Sequence, residues 1–100
     1  MKARTYIGIA LDQGLYCVDA RRAGQAPARM TFPADERGGE QLRRYVAGLR
    51  EPVRLAILAS VATLGLALAL GDVPEREIIL VSPQVADQAA DLAAFAVRTV

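Results

Sequence analysis

From Leu55 to Gly71 the chain carries no charged side chain, and only Ser60, Thr63, Gly65 and Gly71 are not aliphatic. The run is bounded by Arg54 and Asp72. It falls short of the roughly 20 residues that a membrane-spanning helix needs, and no Trp or Tyr flanks it to mark an interface. Length therefore resolves it into two soluble elements. Leu55-Ala56-Ile57-Leu58-Ala59 is expected to be a parallel strand, continuously apolar because both faces of its sheet are covered. Ser60 is expected to cap a buried helix through Leu70, with Gly71 as its C′ residue. A buried parallel strand leading into a helix commits the chain to α/β architecture.

The remaining elements fall around that unit. Thr5–Leu11 and Leu15–Ala20 are β-rich runs across the turn signal Asp12-Gln13-Gly14, which predicts a hairpin. A second turn containing Gly24 and Pro27 leads to a third strand, Arg29–Phe32. Asp35 or Gly39 opens a helix whose apolar residues Leu42, Tyr45, Val46 and Leu49 form one stripe, and Pro52 closes the segment. Ile78–Val81 reads as another fully buried strand. Ser82-Pro83 predicts the start of a last helix, with Val85, Ala89, Leu92 and Ala96 on one face. The order β-β-β-α-β-α-β-α implies a single domain over residues 1–100. Its five-stranded mixed sheet has three antiparallel strands, then two parallel ones joined by right-handed crossovers, with about three helices.

Composition removes whole classes of chemistry. Cys17 is the only cysteine and there is no histidine, so an internal disulfide, a structural zinc site and histidine-based catalysis are excluded. The net charge is +1, which makes no general case for nucleic acid. The charge is uneven, with nine of the arginines and Lys2 against six acids in residues 1–54, and two arginines against five acids after that. The amino-terminal residues Met1-Lys2-Ala3-Arg4 have no apolar signal region, so a cytoplasmic location and no membrane association are expected.

Tyr6-Ile7-Gly8-Ile9-Ala10 resembles the first-strand signature of the RNase H-like (RuvC-like) N-terminal domain of DEDD-type insertion-sequence transposases. Phe32-Pro33 and Gly39-Glu40-Gln41-Leu42 are similar to that family's third strand and first helix start. Leu55–Ala59 is similar to its fourth strand, and Ile79-Leu80-Val81-Ser82-Pro83-Gln84-Val85 to a later strand and turn. Ala96–Val100 resembles the segment that runs Lys-Thr-Asp in the family. The resemblance implies an RNase H-like fold and a two-metal nuclease ancestry.

The residues that would carry that chemistry are absent. The first-strand Asp is replaced by Ala10, the fourth-strand Glu by Ala59 or Ser60, and the third acid falls at Val100. Two-metal phosphodiester cleavage needs carboxylates that converge on the metals. Asp12, with Asp87 or Asp91 at i and i+4 on the last helix, is the remaining acidic set, and turn and surface roles account for it more simply. The expectation is a degenerate, non-catalytic module without cofactor or metal.

Ser60 and Ser82, with Asp12 and Gln13, are placed at the carboxyl edge of the sheet, where α/β folds bind ligands and two helix N-termini could hold an anion. Ordinary N-capping is the simpler role for both serines. Cys17, mid-strand and without a histidine partner, reads as a core thiol. Arg21, Arg22, Arg29, Arg43 and Arg44 are candidates for a phosphate-contacting face, set against a role as solvated surface charge. The last helix is rich in alanine (Ala86, Ala89, Ala90, Ala93, Ala94, Ala96), suited to self-association or to packing on the sheet. A protein partner or a homo-oligomer is the leading expectation, with nucleic acid as the alternative.

Overall fold

The computed structural model describes residues 4–98. Strands β1 (Thr5–Asp12), β2 (Leu15–Arg22) and β3 (Ala28–Pro33) precede helix α1 (Glu36–Ala47). Strand β4 (Val53–Leu58), helix α2 (Val61–Gly71), strand β5 (Arg76–Val81) and helix α3 (Ala89–Arg98) follow. The sheet order is β3-β2-β1-β4-β5. Strands β1, β2 and β3 pair antiparallel, and β4 lies parallel to both β1 and β5. The expected five-stranded mixed α/β architecture with three helices is therefore present.

The β1–β2 turn consists of Gln13 and Gly14, both at positive φ (50° and 75°). That is the backbone of a two-residue hairpin whose twist suits the flanking strands. Helix α1 starts at Asp35, whose carboxylate accepts from the Gly38 amide at 2.8 Å. Glu36 in its first turn and Arg44 in its last match the helix dipole.

Period-two alternation along β1 builds two cores. Ile7 and Ile9 face α1 and α2, packing with Val18, Leu42, Val46, Leu55, Ile57, Leu66 and Leu70. Ala10 faces the other way, with Ala56, Leu58 and Val81, and packs on Leu92 and Ala96 of α3. On that second face α3 lies directly on β1. A Cβ at Gly8 would stand 2.1 Å from the Ala89 carbonyl oxygen and 2.3 Å from the Ala93 amide nitrogen.

Several sequence expectations are corrected. Ser82-Pro83 does not start α3. The Val85 and Ala86 amides return to the Ser82 carbonyl in a single turn, and the helix begins only at Ala89. Asp87 consequently lies outside the helix, and its spacing from Asp91 is not a helical one. Val85 is exposed, because it belongs to that turn and not to the packed face. Strand β5 is an edge strand, so Ile78 and Ile79 are half-buried and Leu80 is 49% exposed. Gly71 is the last residue of α2, and Asp72 is its C-cap.

Helix α2 is not buried. Thr63, Leu66, Ala67 and Leu70 face the core, while Val61, Leu64 and Leu68 on the opposite side are 95%, 51% and 68% exposed. The alanines of α3 supply close packing on the sheet: Ala93 and Ala96 are fully buried. Among the described residues no helix is long and apolar enough to cross a membrane.

Candidate functional site

Helix α3 covers β1 and β4 and leaves much of the β2–β3 half of its sheet face open. A cleft of about 860 Å³ opens there, lined by Asp12, Cys17, Asp19, Arg29, Met30 and Thr31 from the hairpins and by Asp87 to Ala90 from the approach to α3. Antiparallel register sets Cys17 opposite Ala10 and Asp19 opposite Gly8 on one side, with Thr31 and Arg29 opposite them on the other.

The cleft adjoins the first strand but holds no constellation for metal chemistry. Ala10, where the resemblance leads one to look for a first-strand acid, is buried in the apolar packing under α3. Ala59 and Ser60 follow β4 and bring no carboxylate, and Val100 lies outside the described residues. Asp12, the exposed last residue of β1, and the exposed Asp87 share the cleft, whereas Asp91 does not line it. Among the described residues no three His, Cys, Asp or Glu side chains are grouped to hold a metal ion. Burial, and secondarily the negative charge of Asp12, push the Cys17 thiol above its ordinary pKa. A thiol held protonated in this way is a poor nucleophile.

The four residues expected at the carboxyl edge of the sheet divide by role. Asp12 ends β1, Gln13 forms the turn after it, Ser60 follows β4 and Ser82 follows β5. Both serine hydroxyls are engaged locally. Ser60 Oγ accepts from the Thr63 amide at 3.2 Å while Thr63 Oγ1 accepts from the Ser60 amide at 3.1 Å, a complete capping box. The Thr63 hydroxyl also lies within bonding distance of the Leu58 carbonyl, which ties the helix start to the end of β4. Ser82 Oγ accepts from the Gln84 amide at 3.3 Å. Only one of the two serines caps a helix. Ser60→Ala should cost about 1 kcal/mol, the usual value of an N-cap, read as a lowered denaturation midpoint with an unchanged fold.

The five candidate arginines do not converge on one face. Arg21 and Arg29 lie on the α3 side of the sheet, both paired with the buried Asp19 at 3.2 and 3.3 Å. Arg21 also donates to the Ala90 carbonyl at 3.1 Å. Arg22 points to the opposite side, near Tyr45, and pairs with Glu51 at 2.7 Å. Glu51 accepts in turn from the buried Thr5 hydroxyl at 2.9 Å. Arg44 pairs with Glu40 at 3.4 Å along α1, the helix that also carries Arg43. Four of the five form ion pairs within the chain, those of Arg29 and Arg44 at the surface, and the set is split between two faces.

An exposed apolar stripe lies on the outer side of α2. Val61, Leu64, Gly65 and Leu68 recur at helical spacing, and a Cβ at Gly65 would meet nothing within 4 Å. The helix has no charged residue in its first or last turn. A helix without a polar face is ordinarily covered on all sides, and here one side is open to solvent. The sequence carried the signal, since residues 61 to 71 offer no polar stripe for solvent. The reading of a wholly buried helix missed it by assuming that a second layer covered α2.

Comparison of the chain with protein-family models gives no match, and comparison with curated proteins likewise gives none.

Proposed function

We propose that this chain is a non-catalytic RNase H-like module, related to the transposase domain it resembles, that acts by protein–protein association through the outer face of α2. The observation that carries the reading is the exposed apolar stripe Val61–Leu64–Leu68 on a helix without charge. The strand order, with an antiparallel β1–β2–β3 unit and β4 and β5 parallel to β1, supports the ancestry. Ala10 and Ala59 support the loss of chemistry, because a methyl group cannot ligate a metal. A nucleic-acid role derives less support, because the arginines that would contact phosphate are divided and internally paired.

The test is a photo-crosslinking residue placed at position 64 of the full chain in cells, with the same residue at position 37 on α1 as the control. The expected result is a discrete adduct from position 64 that is absent from position 37. No adduct from position 64 would overturn the association surface. Cleavage of branched DNA by the purified chain with Mg²⁺ or Mn²⁺ would overturn the non-catalytic assignment.

A further inference from the structure

We infer that the occupant of the outer α2 face is a second copy of this chain, with the two α2 helices crossing antiparallel about a two-fold axis between Gly65 and Leu68. This inference rests on the association reading above and adds the identity and geometry of the partner.

Three features of α2 select that occupant. First, shape: in an antiparallel pair centred between residues 65 and 68, Leu68 of each copy is set over Gly65 of the other. Leu68 is 68% exposed, and the space above Gly65 is open. A projecting leucine and an unfilled position on the same stripe let two copies of the surface fit each other, as an isologous contact requires. Small residues at the crossing also let helix backbones approach closely.

Second, charge. The stripe is uncharged, so bringing two copies together opposes no like charges along it. The pairing sets Asp72, the exposed C-cap residue of one α2, beside the N-terminus of the other. Acidic side chains are stabilising at the positive end of a helix dipole, and the two-fold axis forms this contact twice. Antiparallel alignment also opposes the helix dipoles favourably.

Third, the lipid alternative lacks its determinants. A helix that lies on a membrane has a charged polar face rich in Lys and Arg opposite its apolar one. Helix α2 has no such face, its first and last turns hold no basic residue, and Asp72 and Glu75 at its lower end would be repelled by anionic headgroups.

An α2 of eleven residues is only about 16 Å long. The interface is therefore at the small end of specific contacts, and the dimer should dissociate on dilution.

Sedimentation velocity of the full chain from about 1 μM to about 1 mM brackets a contact of this size. Wild type should pass from monomer to dimer across the series. Gly65→Gln fills the open space above position 65 while improving helix propensity, and should weaken association at least about tenfold without lowering the melting temperature. Asp72→Lys, which reverses the charge at the partner's helix N-terminus, should weaken it by about threefold or more. Far-UV circular dichroism checks that both variants stay folded. A wild type that is monomeric throughout, or a dimer indifferent to Gly65→Gln, would overturn the inference. Adducts from position 64 that contain only another protein would overturn it while the association reading stood. Without any adduct, both would fall.

Discussion

Gly8→Ala is expected to remove about 3 kcal/mol or more, a large part of the stability of a domain this size. The added methyl would lie 2.1 Å from the Ala89 carbonyl oxygen, 2.3 Å from the Ala93 nitrogen and 2.9 Å from the Leu92 carbonyl carbon. All three are backbone atoms of α3, so no rotamer change relieves the overlap. The helix must lift off the sheet instead. That movement would loosen Leu92 and Ala96 from Ala10, Ala56, Leu58 and Val81, so the lost packing adds to the steric term. The effect should appear as a drop in the urea midpoint and a melting temperature lower by more than about 12 °C. Gly65→Ala provides the contrast, since its methyl meets open space and it should gain up to about 1 kcal/mol in helix propensity. If Gly8→Ala unfolds within about 1 kcal/mol of wild type, the direct seat of α3 on β1 is wrong.

Replacing both Arg21 and Arg29 with methionine should cost about 3–5 kcal/mol, far more than the sum of the two single changes. Asp19 is 1% exposed, and the two guanidinium groups hold its two carboxylate oxygens separately. Either arginine alone leaves the carboxylate with a counter-charge. Because Arg29 is mostly exposed, its single replacement should cost no more than about 1 kcal/mol. Removing both leaves an unpaired buried charge, which is the expensive condition. Adding Asp19→Leu to the double variant should recover most of the loss, since an apolar side chain needs no counter-charge. Denaturation of the two singles, the double and the triple completes the cycle. Additive single effects would show that Asp19 is solvated in solution.

These two sites sit in one row of the sheet, where Gly8 pairs with Asp19 and Asp19 with Arg29. The row marks where α3 stops covering the sheet. At Gly8 the helix backbone touches the strand. One strand over, the space is filled by an ion pair, and beyond that the cleft opens. The cleft therefore results from a helix too narrow for five strands, and its walls carry the Asp19–Arg29 pair, the Cys17 thiol and the carboxylates of Asp12 and Asp87.

Local pattern was enough for much of this molecule. The β-rich runs Thr5–Leu11 and Leu15–Ala20 across Asp12-Gln13-Gly14 specified the hairpin, because strand propensity and a short glycine-containing turn are properties of neighbouring residues. The α1 stripe and the Ser60 cap were legible for the same reason, since a hydroxyl that caps its own helix needs no distant partner. The absence of histidine likewise bounded the chemistry before any fold was known. Tertiary structure alone decided which apolar elements were covered. Ile78–Val81 and Leu55–Leu58 look alike as sequence, yet β4 is central and β5 lies at the edge with a neighbour on one side only. Nor could local signals at Ser82-Pro83 place the start of α3, which waits until Ala89 where its backbone can close on Gly8. Hydrophobicity states what a side chain would lose in water. It does not state whether the fold has a second layer to cover it, and among the described residues none covers the outer face of α2.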